Sequence, residues 1–84
     1  MNENELKSLK ADTIIDARGM ACPGPLLEAK KAMAGVAAGA VMEVLSSDEG
    51  TNNDIPAWTK KMKYDFLGVV AEPGYWRLFV KKSV

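Results

Sequence analysis

The sequence predicts an α/β (α+β) two-layer sandwich of order β-α-β-α-β-β, a four-stranded mixed sheet with two helices on one face. Three observations predict it. Short β-branched runs alternate with two stretches of helical periodicity. The last two apolar runs are joined by Pro73-Gly74, a turn dipeptide. The 84 residues allow one compact domain and no second core.

Met1 to Asp12 is polar and reads as a flexible lead-in, with one helical turn through Leu6 and Leu9 at most; residues 13–84 form the domain. Thr13-Ile14-Ile15-Asp16 is a first strand. Leu26, Ala29, Met33 and Val36 recur at helical spacing, so a helix spans roughly residues 23–34, with Gly35 and Gly39 as stops. Glu28, Lys30 and Lys31 lie off its apolar stripe. Val41 to Leu45 is a second strand. Ser46 to Asp54 is a polar loop rich in turn and capping residues. Ile55, Trp58 and Met62 mark a second, short helix, capped by Asn53 or Asp54 with Pro56 in its first turn. Residues 66–72 and 76–82 are the closing hairpin. A right-handed crossover makes the first two strands parallel neighbours. Trp58, Met62, Leu78 and Phe79 are expected core, whereas Tyr75 and Trp76 flank the turn.

Composition excludes several classes of function. Eleven basic residues balance eleven acidic ones, which gives no electrostatic case for direct nucleic-acid binding. No apolar run reaches the ~20 residues that span a bilayer. The first twelve residues have no signal-peptide core, so a cytoplasmic location without membrane contact is expected. The chain has no histidine and one cysteine. That leaves no Cys-His or Ser-His pair, no two-cysteine redox mechanism and no ordinary zinc site. No metal and no cofactor is expected. Thiol chemistry here uses one sulfur, with another molecule as the second party.

That sulfur, Cys22, opens the segment Cys22-Pro23-Gly24-Pro25-Leu26-Leu27. Proline inside a helix costs ~3 kcal/mol, but in the first turn its missing N–H has no helical partner to lose. Pro23 and Pro25 therefore place a helix start at or next to Cys22. The dipole and free N–H groups of a helix start stabilise an anion, so a thiolate of lowered pKa is expected. The competing reading is a small buried hydrophobe, the commonest fate of a free cysteine.

Asp16-Ala17-Arg18-Gly19 followed by Cys22-Pro23-Gly24-Pro25 resembles the D-x-R-G…C-P-x-P signature of the TusA/SirA-like family. The resemblance covers Thr13 to Lys82, and Asp48, Thr51 and Asp54-Ile55-Pro56 are similar to the family's acidic loop and D-I-P segment. It implies a sulfur-carrier protein, a sulfurtransferase with no turnover of its own. Cys22 would accept sulfane sulfur as a persulfide from a cysteine desulfurase or rhodanese-like donor. It would pass that sulfur to an acceptor of the DsrE/TusD-like kind, in tRNA thiolation, molybdenum-cofactor supply or sulfur oxidation. Pro23 and Pro25 carry over as the rigid prolines. Gly24 stands where some tRNA-pathway members have an acidic residue, which leaves the pathway open.

Asp48 follows the second strand, at the sheet end where α/β sites gather. It is a candidate acceptor or proton handler near Cys22, or an organiser of its own loop. Arg18 supports the thiolate or faces water. Lys30 and Lys31 are solvated surface or a docking point for an acidic partner, as are Lys60, Lys61 and Lys63. The alternative function is a non-catalytic regulatory or interaction module, in which the Cys-Pro-Gly-Pro segment is only a helix cap.

Overall fold

The computed structural model describes residues 3–21 and 23–83. Its elements are α1 (Glu3–Ser8), β1 (Thr13–Asp16), α2 (Gly24–Met33), β2 (Val41–Ser46), α3 (Thr51–Met62), β3 (Asp65–Glu72) and β4 (Tyr75–Lys81). The strands form one mixed sheet of order β1-β2-β4-β3. β1 and β2 are parallel, with Thr13 opposite Met42 and Asp16 opposite Leu45. β4 is antiparallel to both β2 and β3. Gly74 closes the β3–β4 hairpin at φ +83°, as the third residue of a type II turn requires.

β4 lies inside the sheet because both of its faces are apolar. Leu78, Phe79 and Val80 are consecutive and all fully buried. Successive strand residues point to opposite faces, so both sides of β4 must be covered. On one side, α2 and α3 pack Ala29, Met33, Ile55 and Trp58 against Met42, Val44, Leu78 and Val80. These two helices on one face are the expected arrangement. On the other side, Leu6 packs with Val70 and Phe79, joined by Leu9, Val41 and Leu67.

That second cluster changes the picture of the lead-in. The segment includes a six-residue helix whose Leu6 is 2% exposed. Asp12 is also tied in, since its backbone N–H donates to the Val41 carbonyl and its carboxylate accepts from the Val41 N–H. On the same sheet face, Glu43 is buried and takes hydrogen bonds from Arg77. Arg77 also reaches Glu72 and lies over the Phe79 ring. Its two carboxylate partners, Glu43 foremost, hold the guanidinium pKa above its ordinary value.

The second helix of the sequence reading starts earlier than expected. It begins at Thr51 with Gly50 as N-cap, so Asn53 and Asp54 are helical and Pro56 is internal. Two contacts pull the start back. Thr51 Oγ1 and Ser46 Oγ share a buried 2.8 Å hydrogen bond, and the Gly50 N–H donates to Asp48 Oδ1. The first turn closes through i→i+3 bonds, from Thr51 to Asp48 and from Asn52 to Glu49. Pro56 is tolerated because it still lies near this loosely bonded start. Met62, expected in the core, is 45% exposed, since it is the last residue of α3 and faces a groove beside α2.

Candidate functional site

Parallel pairing of β1 and β2 sets their C-terminal ends side by side. The Ala17 N–H continues the ladder to the Leu45 carbonyl at 2.8 Å. The chain then turns sharply: the Met20 N–H bonds the Ala17 carbonyl, with Gly19 at φ +84°. The Gly19 N–H donates to Ser47 Oγ at 2.8 Å and ties this turn to the loop after β2. Sequence reasoning passed over Ser47. The paired strand ends and the Ser46-Ser47-Asp48 run are the signal that would have found it.

Arg18 and Asp16 form a fork-to-fork pair. Arg18 Nε donates to Oδ1 at 2.9 Å and Nη2 to Oδ2 at 2.8 Å, while the Arg18 backbone N–H also reaches Oδ1. The guanidinium sits over the Tyr75 ring, 5.0 Å from its centroid. Arg18 is thus engaged in shaping the turn between β1 and α2, and Tyr75 is half-buried beneath it. The side-chain hydrogen bond from Arg18, and then its backbone N–H, bring the Asp16 pKa down to about 2.

This gives a pH expectation with a definite sign. A carboxylate whose folded pKa is lowered contributes above its unfolded pKa, and the contribution fades as pH falls through the folded one. The clamp should therefore persist through mild acid and open only as pH falls from about 4 toward 2. Carbon-detected NMR titration of the Asp16 carboxyl should show a midpoint near 2. Arg18→Ala should raise it only part of the way toward the ordinary 3.8, because the backbone N–H of residue 18 still donates to Oδ1. Both side chains are about half exposed, so little change in global stability is expected.

Cys22 lies outside the described residues. Its covalent neighbours Ala21 and Pro23 are both exposed. Pro23 is the N-cap of α2, Gly24 its first residue and Pro25 follows within the first turn. The Leu27 N–H makes the first i→i−4 bond to the Pro23 carbonyl at 3.0 Å. The Gly24 N–H is taken by the Ala21 carbonyl at 2.8 Å, and Pro25 has none. The helix start thus keeps its dipole but offers fewer free N–H donors than expected from the sequence. Gly24 has a steric role as well. A Cβ there would stand 3.1 Å from Met20 Cβ, so an acidic residue at this position would require the turn to shift by a few tenths of an ångström.

Asp48 helps to shape its loop. Its carboxylate accepts from the Gly50 N–H, and its own N–H donates to Ser46 Oγ. Lys30 and Lys31 are exposed in the last turn of α2. No cluster of metal-binding side chains occurs among the described residues. No described helix is long and apolar enough to cross a membrane.

A small mixed-sheet domain starts α2 with Pro23-Gly24-Pro25, next in sequence to Cys22 and to a glycine turn clamped by Asp16 and Arg18. Such a protein is of the single-thiol class, with one cysteine and no histidine. Comparison with known proteins makes the assignment specific. Residues 13–82 match the family described as Sulfurtransferase TusA, and the chain belongs to that family. A candidate sulfur carrier protein of Archaeoglobus fulgidus is 51% identical over 69 residues, covering 82% of this chain and 94% of that one. The sulfur carrier protein TusA of Allochromatium vinosum is 33% identical over 72 residues, covering 86% and 95%. The crystal structure of a SirA-like protein from Desulfitobacterium hafniense superposes with a TM-score of 0.76 at 27% identity, covering 86% of this chain and 99% of that one.

Proposed function

We propose that the chain is a sulfur carrier that works as a cytoplasmic persulfide relay on Cys22. The observation that supports this most is the Cys-Pro-Gly-Pro segment at the start of α2 in a chain of the TusA family. The Cys22 thiolate attacks the outer sulfur of a donor persulfide. A Cys22 S–S bond forms, the donor S–S bond breaks, and the donor thiolate leaves with the electron pair. An acceptor thiolate then attacks the outer sulfur on Cys22, and the Cys22 thiolate is the leaving group. Neither step needs an outside oxidant or reductant, a base on this chain, a metal or a cofactor. Thiolate character and access govern both rates.

The donor is a cysteine desulfurase or a rhodanese-like protein and the acceptor a DsrE/TusD-like protein, serving tRNA thiolation, molybdenum-cofactor supply or sulfur oxidation. In this scheme Pro23, Gly24 and Pro25 hold the sulfur-bearing segment. Arg18 and Asp48 shape the two loops beside it, through the contacts described above. Incubation with a desulfurase and cysteine, or with a rhodanese and thiosulfate, should add one reductant-labile sulfur atom by mass spectrometry. A chain left unloaded by both donors refutes the relay.

Lys30 and Lys31 are the proposed partner contacts on α2. A relay must release both partners, which favours electrostatic steering over high affinity. Lys30→Glu with Lys31→Glu should slow transfer from a protein donor without unfolding the domain. The wild-type rate should fall with added salt, and the variant should be slower and less sensitive to it. Equal rates at low salt would make these lysines ordinary surface. Both lie in the last turn of α2, where positive charge favours the helix, so a loss of about 0.5 kcal/mol in stability is expected and is measured separately.

A further inference from the structure

Lys30 and Lys31 are adjacent in sequence but differ in their surroundings. Only Lys30 borders a groove of about 370 Å³ between α2 and α3, where Lys61 of α3 faces it. The floor is apolar: Met33, Trp58, Met62 and Tyr64. Trp58 and Tyr64 pack edge to face, with centroids 5.6 Å apart, which fixes one wall. Among the described residues neither Lys30 nor Lys61 makes an ion pair or a side-chain hydrogen bond.

The charge around this groove is one-sided although the chain is neutral. The last turns of α2 and α3 carry Lys30, Lys31, Lys60 and Lys61, and Lys63 caps α3. The acidic residues of the two helices, Glu28 and Asp54, precede these last turns. Helix dipoles account for lysines at C-terminal ends. They do not account for Met62 and Tyr64, which stay partly exposed between those lysines above buried Met33 and Trp58. A cleft with an apolar floor and cationic rims matches a bulky apolar side chain flanked by carboxylates.

We infer that the α2–α3 groove is a docking site for an acidic segment of a partner protein, which inserts one large apolar side chain between Lys30 and Lys61. This rests on the relay reading only in that the partner is a donor or acceptor of sulfur. Lys30 lies six residues beyond the first residue of α2, about 9 Å along the axis. A partner anchored there can still reach the segment that precedes the helix.

The test does not depend on sulfur chemistry. Random dodecapeptides displayed on phage are panned against the whole protein. Enriched peptides should carry Phe, Leu, Met or Trp with Asp or Glu on both sides. Lys30→Glu with Lys61→Glu should weaken their binding about tenfold or more. Ala34→Trp should do the same without changing any charge, because exposed Ala34 lies on the groove rim. Thermal melts confirm that both variants fold. Failure to enrich, enrichment of peptides without acidic residues, or full binding to Ala34→Trp would overturn the inference. So would sedimentation showing that the groove is closed by a second copy and freed by Ala34→Trp. Loading by inorganic polysulfide reports on the relay separately, since that donor needs no docking groove.

Discussion

Cys22→Ser will take up no sulfur from any donor, while its fold and its binding to partner proteins stay close to wild type. The expected loss is complete, because no second thiol exists in the chain to substitute. Serine at this position keeps the size of the side chain and removes the only atom able to form a persulfide. Mass spectrometry after incubation with a desulfurase and cysteine should show one added sulfur on wild type and none on the variant. Binding measured in parallel separates a relay from an interaction module. A relay loses transfer and keeps docking. A module would keep its whole biological effect, and retention of function by Cys22→Ser in cells would establish that reading instead. The rate of alkylation against pH adds a second readout on the wild type. The dipole at the start of α2 favours a thiolate titrating below an ordinary free cysteine. Two donors are missing from that first turn, because the Gly24 N–H is occupied and Pro25 has none. A small depression is therefore expected, and none at all would remove the helix start as the source of reactivity.

The legible parts of this fold were those set by local chemistry. Thr13-Ile14-Ile15 announces a strand by β-branching, and Pro23-Gly24-Pro25 announces a helix start by the donors it lacks. Pro73-Gly74 fixes a hairpin because Gly74 must take positive φ. The illegible parts depend on contacts far apart in sequence. Pro56 reads as a first-turn proline, yet α3 starts at Thr51 because Ser46 and Asp48 hold its leading turn. Arg18 is visible as a motif residue, but its place over the Tyr75 ring appears only once β1 and β4 are placed in one sheet. Ser47 gains its partner Gly19, 28 residues away in the chain, from parallel pairing of two strands. Lys30 and Lys61 face one groove only after α2 and α3 pack on the same side.

The packing of α1 has the same origin, and it predicts the largest stability change at a residue with no side chain. Gly68→Ala should destabilise the domain by about 2–4 kcal/mol. The sheet skips one register between Phe66 and Gly68, so that Phe66 pairs with Val80 and Gly68 with Phe79. This bulge lets Phe66 join the core beneath α2 and α3 while Val70, four residues on, joins the cluster beneath α1, although residues four apart share a face in an unbroken strand. Gly68 stands at φ +149°, a conformation that L side chains rarely adopt and that costs about 1–3 kcal/mol in other residues. A Cβ there would also stand 2.7 Å from Leu6 Cδ1. Leu6 would have to withdraw from Phe79 and Val70, which adds an overpacking cost of roughly 1–3 kcal/mol, reduced by the mobility of the Leu6 tip. Domains of this length have total stabilities of about 4–13 kcal/mol, so the loss is a large fraction of the whole. The two causes are separable by a double-mutant cycle. Leu6→Ala removes the atom that the added methyl group would strike and leaves the backbone conformation of the bulge as it was. Urea titrations of wild type, Leu6→Ala, Gly68→Ala and the double variant should therefore show a smaller penalty for Gly68→Ala when Leu6 is already absent. The part that remains measures the cost of forcing a Cβ onto the bulge. An identical penalty in both backgrounds would mean that α1 does not press on Gly68. No penalty in either would mean that β3 can drop its bulge, in which case Phe66 and Val70 could not keep the two clusters they now join.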